Sequence, residues 1–117
     1  MATEESNIVA NILIKTAPLA TLFKNVRGCF RSMDGERIVQ AGLQPKGSGD
    51  LIGIRSVKIT QDMVGKTIGQ FVCIECKTSK GAVRPEQKNY IEFIQSKGGI
   101  AGIARSPEDA IQLLSEN

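Results

Sequence analysis

Phe71-Val72-Cys73-Ile74-Glu75-Cys76-Lys77 is an apolar β-strand pattern that ends by placing a carboxylate and an ammonium two residues apart. Successive side chains of a strand point to opposite faces, so Glu75 and Lys77 share one face and can act on one bound group. Upstream, Gly47-Ser48-Gly49-Asp50-Leu51-Ile52-Gly53 opens a second apolar strand with a second carboxylate. An Asp followed by Glu-x-Lys on a neighbouring strand can hold a divalent metal and activate a water beside it. The spacing predicts strands over Asp50–Ile59 and Phe71–Lys77, joined through the polar turn Thr60–Gly69 as an antiparallel hairpin. That pairing would make neighbours of Asp50 and Glu75.

After a polar loop over Thr78–Ala82, a helix is expected from Pro85 to Lys97. Pro85 suits its first turn, Glu86 its dipole and Gly98-Gly99 its stop. Its inward stripe is Tyr90, Ile91 and Ile94, and one turn back along that stripe lies Gln87, a polar group facing the sheet near Lys77. Ile100–Arg105 reads as a short final strand. Ser106-Pro107-Glu108-Asp109 starts a last helix, with Ser as N-cap and Pro at N1. Strand, helix, strand in that order suggests a crossover with parallel pairing.

In the other direction, residues 3–22 read as a helix capped by Thr3 or Ser6 and ended or kinked by Pro18. From Glu5, steps of three, four, seven and eight meet Ile8, Val9, Ile12 and Leu13; from Glu4 they meet Asn7, Ile8, Asn11 and Ile12. Glu5 therefore lies at the end of the apolar stripe and can point inward, although either acid also suits the helix dipole. Residues 23–31 read as a strand. Ser32–Lys46 reads as a connection with room for a short strand around Arg37–Ala41. The expected order is α-β-β-β-α-β-α, an α/β fold with a small mixed sheet flanked by helices.

The 117 residues predict one domain over positions 1–117, with 41% hydrophobic content for a core. Fifteen Lys+Arg against 12 Asp+Glu give a net charge of +3, which permits a polyanionic partner without requiring one. Three cysteines without a framework spacing and no secretory-type opening predict a reduced, intracellular, cytoplasmic protein. No apolar run approaches a membrane helix, so no membrane partner is expected. The absence of histidine excludes His-based triads and His-ligated zinc.

Two motifs mislead. Cys73-Ile74-Glu75-Cys76 matches C-x-x-C, but residues three apart on a strand face opposite sides, so core cysteines are the better reading than zinc or dithiol chemistry. Gly65-Lys66-Thr67 resembles the end of a phosphate-binding loop, but its leading glycine would fall at Thr60 and a strand follows it. Asp50, Glu75 and Lys77 have a plain reading too, as charges at strand ends. Against it stand the apolar run around Glu75, the inward Gln87, and Lys46, Lys80, Arg84 and Lys88 on adjoining loops and the helix start. Distributed cations of that kind suit a phosphate backbone.

Lys46-Gly47-Ser48-Gly49-Asp50-Leu51-Ile52-Gly53, Met63-Val64-Gly65-Lys66, Phe71–Lys77, Gly81, Gln87 and Gly98-Gly99, in that order, resemble the virus-type replication-repair nuclease (VRR-NUC) domain of the PD-(D/E)XK nuclease superfamily. The likeness is to its small stand-alone, phage-encoded members and runs from about residue 4 to residue 110. It implies a restriction-endonuclease-like core and a metal-dependent DNA endonuclease, with Asp50, Glu75 and the Cys76 backbone carbonyl holding Mg²⁺ or Mn²⁺. It further implies that Lys77 orients or deprotonates the attacking water, that Gln87 supports the site and that Glu5 matches the acid of the family's first helix. Gly49 departs from the proline of the superfamily name. A homodimer is expected, because symmetric cleavage of a four-way DNA junction needs two active sites. Structure-selective cleavage of branched DNA leads. Nicking or restriction of duplex or flap DNA, and a non-catalytic DNA-binding module, are the alternatives.

Overall fold

A computed structural model describes residues 3–26, 28–43 and 47–115. The chain is mixed α/β and divides into two compact units, Met1–Gly53 and Ile54–Asn117.

In the first unit α1 (Glu4–Thr16) starts at Thr3, whose Oγ1 accepts the Ser6 amide at 3.0 Å, so Thr3 and not Ser6 is the N-cap. The helix stops at Thr16 because Pro18 has no N–H to continue the ladder, well before residue 22. The expected strand over 23–31 is instead two strands, β1 (Thr21–Lys24) and β2 (Gly28–Arg31). β2 pairs antiparallel with β3 (Ile38–Ala41), Gly28 opposite Ala41 and Arg31 opposite Ile38. β4 (Leu51–Ile54), which runs on to the first residue of the second unit, pairs with β1. That ladder is close: a Cβ on Gly53 would lie 1.9 Å from the Thr21 carbonyl oxygen.

In the second unit a short 3₁₀ turn over Gln61–Met63 precedes β5 (Val72–Cys76), α2 (Pro85–Ser96), β6 (Ile100–Ala104) and α3 (Pro107–Ser115). β5 and β6 are parallel, Val72 opposite Ile100 and Cys76 opposite Ala104, as the strand–helix–strand order predicts. α2 ends in a Schellman turn. The Gly99 amide reaches Ile94 O and the Gly98 amide reaches Gln95 O, both at 3.0 Å, with Gly98 at φ +94°. A Cβ on Gly99 would meet Ile94 of α2 at 2.7 Å, and one on Gly102 would meet Leu113 of α3 at 2.7 Å. Both helices thus pack on β6 or its approach, α2 through Ile94 and α3 through Leu113. Ser106 caps α3 as expected, its Oγ accepting the Asp109 amide at 3.2 Å. Among the described residues Ile94, Ala101, Ala104 and Ile54 are the buried apolar ones, and all belong to this unit.

Two expectations are corrected. β4 is bonded to β1 and β5 to β6, so no antiparallel hairpin of 50–59 with 71–77 forms among the described residues. Residues 55–60 are irregular and the turn that follows is long, whereas the crossover through α2 gives β5 a fully paired neighbour. Among the described residues three two-stranded ladders stand in place of one small mixed sheet, and five strands precede α2. Among the described residues no helix is long and apolar enough to cross a membrane.

Candidate functional site

Glu75 and Lys77 leave the same face of β5, and Lys77 Nζ stands 3.8 Å from Glu75 Oε1. The lysine is the more enclosed partner, its side chain 14% exposed against 36% for the glutamate. Its stem passes under the turn that follows, where a Cβ on Gly81 would lie 3.5 Å from Lys77 Cδ.

Gln87, in the first turn of α2, completes the cluster. Its Oε1 accepts the Arg84 amide at 3.0 Å, and its Nε2 donates to Glu75 Oε1 at 2.7 Å. The first bond decides the second: a backbone N–H needs an acceptor, so the amide oxygen turns to Arg84 and the NH₂ is left for the carboxylate. A helix start thereby orients an acid on the neighbouring strand, a link that stripe spacing alone pointed to only as nearness to Lys77. Gln87 also satisfies a backbone donor at the helix N-terminus that would otherwise want a partner.

The backbone of β5 has a fixed parity. Ile100 N–H donates to Phe71 O at 2.8 Å and Lys77 N–H donates to Ala104 O at 3.0 Å, so the odd-numbered residues of this strand turn their backbone groups toward β6. In a parallel ladder the intervening residues then turn theirs to the other edge, and the Cys76 carbonyl points away from β6. That edge of β5 has no ladder partner among the described residues.

In the first unit Glu5 and Asp50 line one open cleft of about 300 Å³ with Thr3, Val9, Lys24 and Asn25. Glu5 shares a face of α1 with the half-buried Val9 and Leu13, while Glu4 is not part of the lining. Asp50 is exposed and its carbonyl accepts the Asn25 amide at 2.9 Å. The predicted acids thus come together as two groups, Glu5 with Asp50 in one unit, and Glu75 with Lys77 and Gln87 in the other.

Lys80, Arg84 and Lys88 are exposed, and the Arg84 guanidinium stands 4.0 Å from Glu86 Oε1 at the surface. Lys46 lies outside the described residues. Sequence reasoning missed Arg105, whose Nη1 donates to Thr78 O at 2.6 Å and Gly81 O at 2.8 Å and so clamps the turn carrying Lys80. It also missed Asn25. The cysteines are not core residues: Cys29 and Cys76 are exposed and Cys73 is half-buried, all three as free thiols. Burial along β5 is partial, with Val72 and Cys76 exposed and Cys73, Ile74 and Glu75 half-buried. Burial, then the Glu75 charge, pushes the Cys73 thiol up; burial, then Cys73, does the same to the Tyr90 phenol.

Among the described residues no group of three or more His, Cys, Asp or Glu side chains is gathered as a metal site. The ligand set implied by resemblance is different in kind, two carboxylates and a main-chain carbonyl. Its donors are all hard oxygens suited to Mg²⁺ or Mn²⁺, and Gln87 fixes one of them. No family model, curated protein or solved structure matches the chain.

Proposed function

We propose that the chain is a metal-dependent DNA endonuclease of restriction-endonuclease-like type working with Mg²⁺ or Mn²⁺, with Glu75 and the Cys76 carbonyl as ligands in the second unit and Asp50 as a ligand in the first. The observation that carries this reading is the Glu75–Lys77–Gln87 cluster, a carboxylate oriented by an amide and flanked by an enclosed ammonium. A plain surface ion pair needs neither the enclosure nor the orienting amide. A bound ion of this class supplies an acidified water and draws charge from a phosphate.

The protein's own groups divide the remaining work. Gln87 holds the Glu75 carboxylate in one orientation through charge-assisted hydrogen bonding. Lys77 Nζ, beside Oε1, orients the attacking water and offsets negative charge as it grows on the phosphate. Glu5 adds a carboxylate to the cleft that Asp50 lines. Lys80, Arg84 and Lys88, exposed on the turn and helix start that follow Lys77, engage the DNA backbone. The favoured substrate is branched or four-way DNA, cut by a homodimer with one site per copy.

Cleavage of a labelled four-way junction, a flap and a linear duplex, in Mg²⁺ or Mn²⁺ against EDTA, tests the reading. Symmetric metal-dependent cuts in the junction are expected. Cuts confined to duplex or flap would replace the substrate, and binding without cleavage of any of the three would leave a non-catalytic DNA-binding module. Lys77→Ala is expected to lower the cleavage rate at least about 10²- to 10³-fold while junction binding persists. Unimpaired turnover by that variant would remove Lys77 from the chemistry.

A further inference from the structure

Asn25 follows β1 and is half-buried. Its Oδ1 accepts the Leu43 amide at 2.9 Å, and its Nδ2 donates to Gly49 O at 2.9 Å and to Ser48 Oγ at 3.1 Å. Its backbone N–H donates to Asp50 O at 2.9 Å. Both hydrogens of the amide are used, along with its oxygen. These four bonds reach both ends of the connection between Leu43 and Asp50, so one residue closes that loop and sets where it delivers the acid.

The loop needs an external tie. Gly47 sits at φ +83° and Gly49 immediately precedes the acid, so the chain there has little steric restraint of its own. A proline at position 49 would stiffen the approach to Asp50 from within; with glycine there, the Gly49 carbonyl is held from outside by Asn25 Nδ2. Asn25 also lines the cleft that Glu5 and Asp50 share, so its bonds end where the carboxylates stand.

We infer that Asn25 is a positioning residue for Asp50, holding the Gly47–Asp50 segment so that the Asp50 carboxylate is preorganised for a divalent cation. The inference rests on reading Asp50 as a metal ligand. Outer groups that orient a ligand are typically worth roughly 10- to 100-fold in metal affinity.

Mn²⁺ binding by the DNA-free protein, followed by the electron paramagnetic resonance signal of free Mn²⁺, tests it, with thermal unfolding measured on the same samples. Asn25→Ala is expected to weaken Mn²⁺ binding roughly 10- to 100-fold. Ser48→Ala, which removes one of the four bonds together with the bond that Ser48 Oγ donates to Leu43 O at 3.4 Å, weakens it by less. Leu13→Ala, a control for lost stability on α1, lowers the melting temperature and leaves Mn²⁺ affinity unchanged. In junction cleavage, Asn25→Ala shifts the half-saturating Mn²⁺ concentration and recovers most of the rate at saturating metal. Wild-type affinity in a folded Asn25→Ala overturns the inference, as does an equal loss in Leu13→Ala. Should Asn25→Ala not fold, Ser48→Ala decides, and unchanged affinity there overturns it. A wild-type protein that binds no Mn²⁺ overturns the metal reading itself and this inference with it, whereas wild-type binding with an indifferent Asn25 removes the inference alone.

Discussion

In the second unit Glu75 stands on a strand laid against packed side chains, with Ile94 fully buried and Ala101 and Ala104 nearly so. In the first unit, Asp50 stands exposed at the end of a loop tied mainly by the hydrogen bonds of Asn25, and none of the buried apolar residues among those described lies in that unit. One acid is held by a core and a single amide, the other by polar ties. A buried aliphatic side chain contributes several kcal/mol, whereas a net hydrogen bond contributes about 1 kcal/mol. The two units should therefore break in different ways.

The largest expected effect is on the packed side. Ile94→Ala, at a position with no exposure, should cost about 2–5 kcal/mol of stability by urea unfolding. Leu13→Ala, on the half-buried face of α1, should cost clearly less. Equal costs would erase the contrast between the units.

Glycine substitutions sharpen it next. A Cβ at Gly53 meets main-chain atoms of β1, with the Thr21 oxygen at 1.9 Å, while one at Gly102 meets only the branched end of Leu113 at 2.7 Å. Main chain in a ladder cannot step aside as a leucine tip can. Gly53→Ala should cost at the upper end of about 1–3 kcal/mol and Gly102→Ala at the lower end. The reverse order, in denaturant midpoints, would show that β1–β4 gives way more easily than the α3 contact.

The smallest effect reports on the Glu75 cluster. Burial first, and the Glu75 charge second, raise the Cys73 thiol above its ordinary value of 9.0, so at pH 8 it holds less thiolate than an unperturbed cysteine. Iodoacetamide should therefore modify Cys73 more slowly than the exposed Cys29 and Cys76. Glu75→Gln removes the negative neighbour, which lowers the Cys73 pKa and should quicken its alkylation at fixed pH. The same shift makes a small contribution to stability that is present below pH 9 and lost as pH rises through the raised value. Mass spectrometry of timed samples reads the rates, and an unchanged Cys73 rate in Glu75→Gln would detach the thiol from the cluster.

Much of the second unit was legible because its signals are local. Pro85 and Gly98-Gly99 bracket α2, Ser106-Pro107 opens α3, and the spacing of Tyr90, Ile91 and Ile94 put Gln87 on the inward face. Glu75 and Lys77 share a face by strand periodicity alone. Helical phase sets Glu5 on the apolar stripe of α1, and Glu5 lines the cleft beside Asp50. By contrast, the break of 23–31 into β1 and β2, and the partner of β4, were not readable. A hydrophobic run identifies a strand but carries little about which strand it will bond, since that depends on residues far away in the chain. The exposure of Cys29 and Cys76 is hidden from the sequence for a related reason, because an apolar run does not say how much cover each face receives.

Periodicity and capping within a few residues settle which residues carry charge on which face of β5 and where α2 and α3 start and stop. Contacts between distant segments settle that β1 and not β5 pairs with β4, that Arg105 clamps the 78–81 turn, and that Asn25 ties down the loop before Asp50. These are bonds between residues many positions apart, and nothing near Asn25 or Arg105 in the chain distinguishes them from any other polar side chain. Their partners exist only once the backbone has folded to present its carbonyls and amides.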